Sequence, residues 1–159
     1  MDSLAVFARI FRVLATHTSC PNSRSRRLTD GEIDVAISAI SAVELAHGIY
    51  RARSDADRDR RRVFVEGIFH DLIMHSLTLG IAQLAGRIEG EQAASGVSIA
   101  IEDLFVGATA MHLGFDVVTF NLLHFQAMPG LNIVSFGPLP ASENQCLCLA
   151  KTSASALPG

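Results

Sequence analysis

Short apolar runs that each hand over to a helical pattern constrain this chain more than any other feature. Asp34-Val35-Ala36-Ile37-Ser38-Ala39-Ile40 is β-branched and almost continuously apolar, so it reads as a buried strand. A helix pattern follows at once, with Val43, Leu45, Ala46, Ile49 and Tyr50 at its apolar positions and Gly48 allowing close packing. Val63, Phe64, Ile68, Phe69 and Leu72 predict a second helix, and Ile73 to Leu79 a short strand. Ile81, Leu84, Ala85 and Ile88 form the clearest helical stripe, which Gly96 ends. Asp103 to Leu113, closed by Gly114, predicts another helix, and Val117-Val118-Thr119 a buried strand. A turn at Pro129-Gly130 then leads to a last strand over Leu131 to Phe136. Such alternation predicts an α/β fold, a parallel sheet with helices on both faces. In sheets of this kind the functional crevice lies beyond the carboxyl ends of the strands.

The 159 residues suit one domain, and with 49% hydrophobic residues the chain can bury a core. Its most apolar stretch, Leu104 to Phe115, is broken by Gly107, His112 and Gly114, too short for a membrane span. Three regions are expected. Residues 1–31 form an atypical start, a short amphipathic helix through Leu4, Phe7, Ala8, Phe11 and Leu14, then an Arg- and Ser-rich loop. That composition also matches an organellar transit peptide, which would be removed. Residues 32–136 carry the folded domain, and the aperiodic tail 137–159 is expected to be disordered or loosely attached. Eleven of the 13 basic residues lie before residue 63, so a uniformly basic nucleic-acid coat is excluded. The six Arg and three Asp of residues 51–62 read mainly as a solvated helix face, with some Arg able to meet a nucleic-acid backbone. Cys20, Cys146 and Cys148 lack the pattern of a disulfide framework or a zinc site and suit a reducing, cytoplasmic setting.

Three places after strands could converge on one end of the sheet. Glu44 stands four residues beyond Ile40; taken alone, Ser41-x-x-Glu44 favours a capping box, and the functional reading is a carboxylate facing the crevice. Glu102 and Asp103 open a helix, where the helix dipole alone would favour acids. Adjacent helical residues point about 100° apart, and Asp103 shares its side with Val106, Gly107 and Ala110, which makes it the inward candidate. Thr119-Phe120-Asn121 ends the next strand, with His124 after it, where an Asn or His is commonly a turn former. Carboxylates gathered there would hold a divalent cation able to activate water and neutralise a phosphodiester.

The segments Ile37 to Gly48, Glu102 to Ala110, and Val118 to Phe125 with Pro129-Gly130-Leu131 resemble, in order and spacing, the successive motifs of PIN domains of the VapC toxin type. The resemblance covers about Ile33 to Phe136. It implies a three-layer α/β/α sandwich and an endoribonuclease dependent on Mg²⁺ or Mn²⁺, the toxin of a toxin–antitoxin pair. It further implies a homodimer that an antitoxin inhibits by entering the active-site groove. Glu44 and Asp103 fall on the family's metal-binding acids, Asn121 on a position held by Asn or a fourth acid, and Thr119 on the motif threonine beside it.

Two features depart from the family. Its members begin with a hydrophobic strand ending in Asp-Thr or Asp-Ser, the middle strand of the sheet and source of the first metal ligand. Here Asp2-Ser3 has only Met1 before it, and Asp30 and Asp34 precede the wrong element. Asn121 is neutral. Each missing charge weakens the attraction that offsets dehydrating the ion. A second reading is therefore a catalytically impaired PIN remnant acting as a protein-binding module, from a gene with altered ends.

Overall fold

The computed structural model describes residues 33–119, 122–135 and 146–152, and strand and helix alternate in them. The order is β1 (Ile33–Ser38), α1 (Ala39–Tyr50), α2 (Asp55–Asp71), β2 (Ile73–His75), α3 (Leu79–Ala94), α4 (Ile101–Leu113), β3 (Asp116–Thr119), α5 (Leu122–Gln126), β4 (Ile133–Ser135) and β5 (Cys146–Thr152). The expected helix over Leu4 to Leu14, the dipeptide Asp2-Ser3, Asp30 and Asn121 lie outside the described residues.

The described strands form one sheet in the order β2-β1-β5-β3-β4. β1 runs parallel to β2 and β3 to β4, as the alternation predicts. β5 departs from the expectation. It lies between β1 and β3, antiparallel to both, with Leu149 opposite Ala36 on one side and Val117 on the other. The sheet is therefore mixed, and residues 146–152 of the expected loose tail are its central strand. Cys-Leu-Cys-Leu-Ala is a short apolar run, but with no helix pattern after it the α/β alternation gave it no place.

Successive strand residues face opposite sides of a sheet. Val35, Ala36 and Ile37 are nevertheless all buried, as are Val117 and Val118, so both faces are covered. On one side Ala36 and Val117 join a core with Ile81, Ala85 and Ile88 of α3, Leu104 and Ala108 of α4, and Phe125 of α5. Val35 and Ile37 point the other way, and Leu45 and Ile49 of α1 with Val65 and Ile68 of α2 are also buried. Each such side chain contributes about 1.5–3 kcal/mol through burial.

Local chemistry sets the element ends. The Ser38 hydroxyl, at 3.1 Å, accepts from the Ser41 N–H, so the cap of α1 is Ser38, three residues before the expected one. Ser54 caps α2 and Thr78 caps α3, which leaves β2 three residues of the strand expected over Ile73 to Leu79. In α2 the buried stripe runs through Val65 and Ile68, while Val63, expected inside, is 70% exposed. Arg58, Arg60 and Arg62 each pair with the Asp three residues earlier, a solvated charged face. Arg61 instead donates to the Gly48 carbonyl at 2.8 Å, tying α2 to α1. α4 ends on Gly114 at φ 70°, a left-handed position that favours glycine.

Leu149→Pro should test the central place of β5. It introduces a ring and removes an N–H in a strand paired on both sides, so unfolding free energy should drop by about 3 kcal/mol or more in urea denaturation. Wild-type stability in this variant would contradict that place.

Candidate active site

Three elements bring polar side chains to one end of the sheet. β1 and β3 both run antiparallel to β5, so their last residues, Ser38 and Thr119, lie at the same end. α1 starts directly after β1, and α4 starts at this end because it runs back to enter β3 through Gly114. α5 starts just after β3. Glu44 on α1, Glu102 and Asp103 in the first turn of α4, and His124 on α5 are thereby drawn together, although the chain separates them widely.

Glu44 carries the clearest electrostatic signature. Its Oε2 is shielded from water and has no hydrogen-bond partner among the described residues. Burial, then the charge of Asp103, then that of Glu102, push its carboxyl from about 4.5 up to about 7. Repulsion of that kind requires proximity. With Ser38 as the cap, Ser41 lies inside the helix, buried, its hydroxyl 3.1 Å from that of Ser38. The capping-box explanation of Glu44 is thus removed, and its carboxylate faces other acids instead.

Asp103 is held from α5: its Oδ2 lies 2.7 Å from Nδ1 of His124. The pair joins residues 21 apart in sequence, an interaction no local pattern encodes. The sequence marked His124 as a residue after a strand, inside the segment Val118 to Phe125 that resembles a family motif, and gave it no role of its own. Glu102 is exposed and Thr119 fully buried at the end of β3.

An all-oxygen set of clustered carboxylates, with one buried oxygen lacking a partner, has the chemistry of a site for a hard divalent cation. Glu44 and Asp103 are the residues able to hold one. The set is small: among the described residues no three His, Cys, Asp or Glu side chains are grouped closely enough to be a metal site by themselves.

An α/β core around a mixed sheet, with acids gathered at the ends of β1 and β3, defines the class, and sequence comparison gives the family. The PIN domain family model matches residues 14–130, and the chain belongs to that family. The match begins before the described residues and takes in part of the start that read as atypical. The chain is VapC-like: it is 31% identical over 99 residues to the tRNA(fMet)-specific endonuclease VapC of Salmonella typhimurium (strain LT2), covering 62% of this chain and 73% of that protein. A solved DNA-bound VapBC from Salmonella typhimurium is 28% identical with a TM-score of 0.57, over 62% of this chain and 72% of that one. VapBC-1 from nontypeable Haemophilus influenzae shares the fold, with a TM-score of 0.63 at 17% identity over 84% and 94% of the two chains.

Because the folded chain holds the Glu44 proton more tightly than the unfolded chain, this group makes stability fall as pH rises from about 4.5 to about 7, with no further change above. Glu44→Gln should remove that slope and, above pH 7, exceed the wild type by about 1–3 kcal/mol, after allowance for partial exposure. Chemical denaturation of both proteins across this pH range measures the difference.

Proposed function

We propose that this protein is a divalent-metal-dependent endoribonuclease, the VapC-like toxin of a toxin–antitoxin pair. The observation that carries the reading is the buried oxygen of Glu44, without a partner among the described residues, beside Asp103 and Glu102 at the strand ends of a PIN fold. The names of the relatives support it: one is a tRNA endonuclease, and others are solved as VapBC complexes. By that analogy the partners are an RNA substrate, a cognate antitoxin and a second copy of the chain. The proposed setting is the cytoplasm; among the described residues no helix is long and apolar enough to cross a membrane.

Glu44 and Asp103 would hold Mg²⁺ or Mn²⁺, which would supply charge neutralisation at the phosphodiester and a more acidic water. The chain's own contribution is to keep these carboxylates close and desolvated, so that their repulsion favours a cation over water. Asp103 lies in the first turn of α4, at the positive end of the helix dipole. Thr119, buried at the end of β3, and Asn121, two residues further on, complete the proposed set.

Purified protein should cleave RNA only with Mn²⁺ or Mg²⁺, with initiator tRNA the first substrate to try. Asp103→Asn should slow cleavage roughly a hundredfold or more, since metal stabilisation is worth several kcal/mol and each 1.4 kcal/mol is tenfold. Equal rates in both proteins would remove Asp103 from the mechanism.

One observation favours a second reading. The described middle strand is β5, and among the described residues no third carboxylate is grouped with Glu44 and Asp103 in metal-site geometry. A catalytically impaired remnant that binds an antitoxin would have this form. Thermal unfolding with and without Mn²⁺ separates the two: a nuclease gains stability with rising Mn²⁺, and a remnant gains none.

A further inference from the structure

We propose that His124 is a positioning residue of this site: its ring Nδ1–H donates to Oδ2 of Asp103 and fixes that carboxylate for the cation. The inference rests on the nuclease reading above and assigns a role to a residue outside the acid set. At 2.7 Å the contact has the length of a charge-assisted hydrogen bond. It is the one hydrogen bond that either side chain makes among the described residues.

The local fold holds the ring in place. α5 has only five residues, and Phe125, next to His124, is 0% exposed in the main core. The Asp103 side chain is 17% exposed and that of His124 is 42% exposed, so the bond lies at the rim, only partly screened by water. An ionised carboxylate can only accept, so the contact requires the proton on Nδ1. A carboxylate anchored through one oxygen gives up less rotamer freedom when the other meets a cation. Partners that orient a ligand in this way are commonly worth a factor of 10 to 100 in metal affinity. In a site with few acids, that contribution is a large share of the affinity.

The full chain is tested with Mn²⁺ alone as probe, its free concentration read by electron paramagnetic resonance. His124→Ala should weaken Mn²⁺ binding by about tenfold. His124→Asn, whose amide can donate from nearly the place of Nδ1, should restore most of it. Equal affinity in wild type and His124→Ala, or an equal loss in both variants, overturns the proposal. A wild type that binds no Mn²⁺ overturns the nuclease reading and this role with it. Independently of metal, nitrogen-15 correlation spectra of the imidazole, taken well above its ordinary titration range, should show the Nδ1–H tautomer. The Nε2–H tautomer there overturns the contact whatever the Mn²⁺ result.

Discussion

Strands buried on both faces have nowhere to satisfy their backbone groups except along their own edges, and the rest of this molecule depends on that constraint. Val35 to Ile37 of β1 and Val117 and Val118 of β3 are covered above and below by helices. β1 and β3 do not touch as neighbours. Each meets β5, which donates to and accepts from both, so one segment near the end of the chain completes two ladders. Without it the sheet would divide into two pairs, β2-β1 and β3-β4, each with an inner edge exposed to unwanted pairing.

The same strand sets the distance across the site. β1 delivers α1 and Glu44 on one side of β5, and β3 delivers α5 and His124 on the other. α4 brings Asp103 back to the same end. Strands in a sheet are roughly 4.8 Å apart, so a single strand between β1 and β3 keeps both side-chain sets within reach of one small ligand. Direction matters as well. A parallel strand in that slot would end at the crevice, whereas β5 begins there, with Cys146 opposite Thr119.

The electrostatics follow from this crowding. Glu44 is pressed into partial burial beside two other acids, which lifts its carboxyl towards neutrality, while Asp103 has a histidine to bond. Two acids near each other thus have different surroundings: one has a buried oxygen without a partner among the described residues, and the other is anchored. A cation would relieve the first and use the second. Arg58, Arg60 and Arg62 take no part in this balance, since each is paired along its own helix.

Much of this was legible along the chain. The stripe Ile81, Ala85, Ile88, the stop at Gly114 and the buried runs in β1 and β3 follow from periodicity and turn chemistry, which are local. Glu44, Asp103 and Thr119 were marked because each follows a strand or opens a helix, which suffices to say at which end of a parallel sheet they lie. Tertiary structure alone decided what they meet there. That Ser38 rather than Ser41 caps α1, that His124 reaches Asp103 across 21 residues, and that Cys146–Thr152 lies mid-sheet are outcomes of long-range pairing. The sequence by itself determined the elements and the identity of the acids, because hydrophobic period and caps act within a turn or two. The neighbour of each acid and the strand between them arise only when distant segments compete for the same edge and the same pocket, a contest that no local pattern records.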